Sequence, residues 1–148
     1  MEAVIFCGIQ ATGKSTFFKE KFFRTHMRIS LDQLNTRNKE SKFIETCFHT
    51  FHPFVVDNTN PSKEERARYI TQAKANKYKV IGYYFQSKLS DALERNSQRT
   101  GKENIPEIGI KGTFKRLVLP TMEEGFDALY YVTTDNNTFI VKEWSDEI

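Results

Sequence analysis

Ala3-Val4-Ile5-Phe6-Cys7-Gly8-Ile9-Gln10-Ala11-Thr12-Gly13-Lys14-Ser15-Thr16 joins three kinds of sequence in one run. Ala3 to Cys7 is apolar and reads as a buried strand. Gly8 to Ser15 follows the pattern Gly, four residues, Gly-Lys-Ser. From Lys14 to Phe23 the chain reads as a helix, with Phe18 and Phe22 one turn apart on its core face. Strand, glycine loop and helix are the context this pattern needs to act as a phosphate cradle. The glycines allow unusual dihedrals and a close approach, so successive N–H groups point into one concavity at a helix N-terminus. On this reading Gly8, Ile9, Gln10, Ala11, Thr12, Gly13, Lys14, Ser15 and Thr16 surround the phosphates of ATP. Lys14 reaches the β- and γ-phosphates, and the Ser15 hydroxyl binds Mg²⁺.

Working outward, strands alternate with helices. Met27–Ser30 is a short strand and Ser41–Thr50 is helical. Phe54-Val55-Val56-Asp57 is a buried strand. Asn60-Pro61 reads as a helix start, with Asn as cap and Pro at the first helical position. Glu64 and Glu65 favour the positive end of that helix, which is expected to run to about Lys77. Lys79–Phe85 is a strand, and a helix from about Lys88 to Arg99 follows. Residues 100–113, with Gly101, Gly109 and Gly112, read as a mobile segment. Ala128–Val132 and Phe139–Val141 read as strands around an Asp135-Asn136-Asn137 turn. The alternation predicts an α/β fold of the P-loop NTPase kind, three layers (α/β/α) around a mainly parallel sheet. One domain over residues 1–148 is expected, with a helical lid over about 88–116. Active-site loops then lie at the carboxyl ends of the strands.

The composition suits an ordinary globular domain of 148 residues, 39% apolar and 28% charged. No apolar run is long enough for a membrane span, and the N-terminus lacks a basic leader. A cytoplasmic protein is expected, without membrane attachment. Cys7 and Cys47, the two cysteines, read as buried thiols, and without a Cys/His cluster no zinc site is expected. The net charge of +3 permits an anionic partner without demanding one. Nothing in the sequence signals an oligomeric state.

Four more side chains fit phosphoryl transfer. Asp57 closes an apolar strand, where a carboxylate holds Mg²⁺ directly or through water. Asp32 follows the Met27–Ser30 strand, so it sits near the phosphates and can accept the proton of an acceptor hydroxyl. Its alternative role is to cap the next short helix. Arg95 and Arg99 lie four apart on a predicted helix, a spacing that repels unless an anion joins them. ATP phosphates are such an anion, and one guanidinium would stabilise the transferring group. The Gly-rich segment that follows reads as a closing lid. Thr121 to Glu124 is a capping box and is assigned to structure. Phe126, Leu129 and Trp144 are assigned to the core.

These residues resemble the 5′-kinase domain of polynucleotide kinases, the phage enzyme and the mammalian kinase/phosphatase. Asp57-Asn58-Thr59-Asn60-Pro61 resembles the family's DNTNP segment, continued by Arg66-Ala67-Arg68-Tyr69. Arg95-Asn96-Ser97-Gln98-Arg99 resembles its lid helix, Ile105-Pro106 and Phe114 follow at similar spacing, and Pro120-Thr121 with Glu124-Gly125-Phe126 resembles the mammalian closing segment. The resemblance covers about residues 3–132. It implies ATP-dependent phosphorylation of the 5′-hydroxyl end of DNA or RNA; separately, a stand-alone kinase without a phosphatase or ligase domain is expected. The resemblance implies Lys14 and Ser15 as phosphate and metal ligands, Asp32 as the residue activating the hydroxyl, and Arg99 as the lid arginine. Thr59 and its polar neighbour Asn60 would lie at the acceptor mouth, with Arg37 and Arg66 on the nucleic acid. Ser30-Leu31 stand where the family has Asn-Arg. Asn35 stands where the phage enzyme has Arg, and Arg37 lies two positions further on. These departures fall on the polynucleotide side. A P-loop kinase for a small molecule, nucleotide or nucleotide sugar, and a non-catalytic ATP-binding module, are the alternatives.

Overall fold

A computed structural model describes residues 1–146 and 148. Its six strands are β1 (Glu2–Cys7), β2 (Met27–Ile29), β3 (Phe54–Val56), β4 (Lys79–Phe85), β5 (Ala128–Asp135) and β6 (Thr138–Glu143). They form one sheet in the order β2-β3-β1-β4-β5-β6. Every neighbouring pair is parallel except β5 with β6. The helices are α1 (Lys14–Lys21), α2 (Leu31–Leu34), α3 (Arg37–Thr50), α4 (Lys63–Ala75), α5 (Leu89–Ser97) and α6 (Glu107–Arg116).

Successive side chains of a strand point to opposite faces, and β1 shows the result. Ala3 and Ile5 pack with Ile44, Tyr69 and Ile70 from α3 and α4. Val4 and Phe6 pack with Phe17, Phe18 and Phe22 around α1. Both faces are therefore covered, which is the three-layer α/β arrangement expected from the uninterrupted apolar run of β1. Among the described residues no helix is long and apolar enough to cross a membrane.

Two expectations are corrected. The helix after β3 begins at Lys63, not at Asn60-Pro61. Its cap is Ser62, in a reciprocal capping box with Glu65. Asn60 has φ 43, a left-handed conformation, and its buried Nδ2 donates to the Phe6 carbonyl at 2.8 Å. It is a tether between two strand ends. Residues 100–113 also depart from the mobile segment read from their glycines, because α6 runs through Gly109 and Gly112. Glycine costs a helix roughly 1 kcal/mol relative to alanine. Packing offsets that cost here: Ile110 is fully buried in a third cluster with Ile9, Ala11 and Ala92. This small core joins α5 and α6 to the glycine loop.

Candidate active site

The loops after β1, β2 and β3 leave one edge of the sheet, as parallel strands require. Gly8–Gly13 follows β1, Ser30 and Asp32 follow β2, and Asp57 follows β3. The first two amides of the glycine loop fasten it. Gly8 donates to the Thr59 carbonyl at 2.9 Å and Ile9 to the Ser87 hydroxyl at 3.1 Å. Gly13 has φ 94, and a Cβ there would come within 3.0 Å of Phe139. Ala11 also has positive φ (63), a strain that a residue with a Cβ tolerates only when its surroundings fix it. Its carbonyl accepts from Nη1 of Arg95 at 3.2 Å. Arg95 thus clasps the loop from α5, and its Nη2 reaches Thr134 at 3.4 Å. Gln10 reaches from the loop to α6, donating to Thr113 at 3.0 Å.

Lys14 is buried. Its ammonium donates to the carbonyls of Gly8 at 3.0 Å and Ile9 at 2.7 Å. Burial lowers its pKa from 10.5 to about 8, Asp57, Cys7 and Asp32 oppose that shift, and Arg99 adds to it. Asp57, Asp32 and Arg99 therefore all lie within electrostatic reach of the Lys14 ammonium. Asp32 sits in the first turn of α2 and is exposed. Ser30 occupies the cap position, so Asp32 does not cap that helix. Arg99 lies past the end of α5, not on one helical face with Arg95, and Nη1 donates to the Glu103 carbonyl at 3.4 Å.

The Ser15 hydroxyl donates to Oδ2 of Asp57 at 3.2 Å. A residue that sequence reasoning missed joins them. Arg28, in the middle of β2, donates from Nε to Oδ2 of Asp57 at 2.9 Å and from Nη2 to the Ser15 hydroxyl at 3.0 Å. Both oxygens proposed as Mg²⁺ ligands thus face a cation already. Hard oxygens converging on a positive charge are a donor set that suits Mg²⁺, so these residues fit that ion. The one available signal for Arg28 was a charge inside a strand leading to Asp32.

The residues expected on the acceptor side divide. Arg37 stays half-exposed and donates to Glu40 at 3.1 Å and to the Tyr69 hydroxyl at 2.6 Å. Thr59 is half-buried and lends its carbonyl to Gly8. Arg66 and Asn60 do not reach an acceptor. Arg66 is 0% exposed. Its guanidinium is saturated by both Glu124 oxygens (2.8 and 3.1 Å), the carbonyls of Asn60 and Pro61, and the Cys7 sulfur. α4 turns this residue inward beneath the loop after β3, so a buried charge takes buried partners. Burial pushes the Cys7 thiol up to about 11.

A family profile described as AAA domain matches residues 4–120. A bifunctional polynucleotide phosphatase/kinase of Schizosaccharomyces pombe is 30% identical over 129 residues, 84% of this chain and 32% of that protein. A putative enzyme of the same description from Acanthamoeba polyphaga mimivirus is 28% identical over 139 residues, 89% of this chain and 33% of that protein. The chain spans about a third of the length of these curated relatives. Among solved structures, Chaetomium thermophilum Kti12 with ADP-AlF3 superposes with TM-score 0.64 at 15% identity, covering 90% of each chain. A gluconokinase from Sinorhizobium meliloti superposes with TM-score 0.60 at 17% identity, covering 89% of this chain and 82% of the other. These two likenesses show the fold alone, a three-layer α/β arrangement with a phosphate loop after the first strand.

Proposed function

We propose that this chain, which belongs to the AAA domain family of P-loop proteins, transfers the γ-phosphate of ATP to a 5′-hydroxyl end of DNA or RNA. The observation that carries the reading is the convergence on Lys14. Asp32 follows β2 and Asp57 follows β3 at the same sheet edge as the glycine loop after β1, Ser15 is bonded to Asp57, and Asp32, Asp57 and Arg99 all lie within electrostatic reach of the Lys14 ammonium. The names of the two curated relatives support a polynucleotide acceptor. Residues 1–148 act as one kinase domain, and α5, α6 and the turn between them form the lid.

Lys14 leaves the loop carbonyls to meet the β- and γ-phosphates. The acceptor oxygen attacks the γ-phosphorus, the bond to the β,γ-bridging oxygen breaks, and ADP leaves. The hydroxyl proton passes to Asp32, which also aligns the attacking oxygen. Arg99 stabilises charge on the transferring group, and Arg95 holds the loop through Ala11. Ser15 and Asp57 would hold Mg²⁺, which neutralises charge on the phosphate oxygens. Arg37 and Thr59 face the acceptor.

A second reading, a small-molecule acceptor, is favoured by the burial of Arg66 and Asn60, which removes one proposed strand contact and one residue of the proposed acceptor mouth. Transfer of labelled γ-phosphate to a 5′-hydroxyl oligonucleotide, with nucleosides, a nucleoside 3′-phosphate and sugars beside it, separates the two. A polynucleotide kinase prefers the oligonucleotide at low salt and loses that preference as salt rises, because strand contacts release counterions. Equal use of the short acceptors at every salt concentration would favour the second reading. Asp32→Asn should lower kcat by about 10²- to 10⁴-fold with ATP affinity kept. Loss of ATP affinity with kcat intact would remove Asp32 from the chemistry.

A further inference from the structure

Glu40, on α3, is 2% exposed, and no step of phosphoryl transfer uses it. A buried carboxylate is costly unless it is paired and hydrogen-bonded. Its partners come from three elements. The Tyr69 hydroxyl of α4 donates to Oε1 at 2.8 Å, and Arg37 of α3 donates to the same oxygen at 3.1 Å. Asn58, beyond β3, donates from Nδ2 to Oε2 at 2.9 Å. Burial, and after it Glu40, pushes the Tyr69 hydroxyl up to about 12, so it remains a donor.

With Nδ2 on Glu40, the Asn58 amide turns its oxygen to the backbone N–H of Leu31 at 2.9 Å. Leu31 is the first residue of α2, and Asp32 is the second. The first amides of any helix lack intrahelical partners, and a helix of four residues is too short to hold itself. Ser30, at the cap position, makes no side-chain cap bond. Asn58 therefore caps α2 from another strand end. Asp32 is exposed, so the backbone of α2 has to set its position.

We infer that Glu40 and Asn58 are positioning residues: through Glu40–Asn58–Leu31 they fix where α2 holds the Asp32 carboxylate. The inference rests on the reading of Asp32 as the acceptor-side base. It also turns Arg37 into the solvent-facing member of the same network, with 47% of its side chain exposed.

Two variants test it. Glu40→Gln removes the charge. Asn58→Ala leaves Glu40 with Arg37 and Tyr69, and so cuts the tether without removing a buried charge. Hydrogen exchange is followed over residues 31–34, with α1 as reference. Both variants should speed exchange in α2 and leave α1 unchanged. kcat should fall about ten- to a hundredfold at unchanged KM for ATP, since a misplacement of about 1 Å costs that order. In an Asp32→Asn background neither change should lower kcat further, because groups acting through one another are not additive. Unchanged exchange in α2 of Asn58→Ala would overturn the tether. A full, additive kcat loss in the Asp32→Asn background would overturn the positioning role. If Asp32→Asn alone left kcat intact, the base assignment would fall instead, and the exchange result by itself would decide the tether.

Discussion

Two arginine–carboxylate pairs bracket the candidate site, and they are alike only in length. Arg66 meets Glu124 at 2.8 Å and Arg28 meets Asp57 at 2.9 Å. Arg66 is wholly buried, and its pair joins α4 to the turn before β5. The Thr121 amide also donates to Glu124, at 2.9 Å, so this carboxylate closes a capping box as well as an ion pair. Arg28 keeps 28% of its side chain in water while Asp57 keeps 2%, and its guanidinium rests on the two oxygens suited to Mg²⁺. One pair has all three guanidinium nitrogens bonded within the protein, whereas the other has an exchangeable partner. An arginine's role is thus set by where its element places it, not by the carboxylate it meets.

The largest effect expected is at the buried pair. Arg66→Ala leaves Glu124 buried beside an emptied space, and breaking such a pair costs about 3–5 kcal/mol. Denaturant unfolding should show that loss, and a change below about 1 kcal/mol would place Arg66 with ordinary surface pairs.

Lys14 sharpens the contrast, because its buried ammonium donates to carbonyls and not to a carboxylate. Its pKa is about 8 in the fold against 10.5 ordinarily. Between those values the unfolded chain carries the extra proton, so stability rises with pH. The cost of the charged lysine is full below about pH 8 and gone above about 10.5. It amounts to something on the order of 3 kcal/mol. Unfolding of the wild type and Lys14→Met is to be compared from pH 7 to 10. The wild type should gain on the variant as pH rises, and a flat difference would reject the shift.

The smallest effect concerns Arg28. Arg28→Ala removes a resident cation from Ser15 and Asp57, so nucleotide-free protein should bind Mg²⁺ about tenfold more tightly, equivalent to about 1.4 kcal/mol. Mg²⁺ titration of the melting temperature measures it. Equal midpoints in variant and wild type would mean that Arg28 does not compete for those oxygens, and the contrast between the two pairs would lose its functional half.

Local pattern was legible from the amino acids alone. The run from Ala3 to Ser15 specified strand, loop and helix, because its apolar stretch and glycines act within a few residues. Lys79–Phe85 was legible with its bounds, since an apolar strand between helical segments admits few alternatives. The Thr121–Glu124 capping box was legible for the same local reason. Other features were decided by residues far along the chain. Gly109 and Gly112 argued against a helix until Ile110 found Ile9 and Ala92 to pack against. Arg66 resembled a strand contact until α4 turned it toward Glu124, and Asn60 resembled a cap until its amide met Phe6. Arg28 carried no local signal beyond its charge inside a strand, and Glu40 carried none. Their partners, Asp57 for the one and Tyr69 and Asn58 for the other, stand on different elements. A charged side chain's role depends on the dielectric and the counter-charge around it, and only the packing of those elements supplies either.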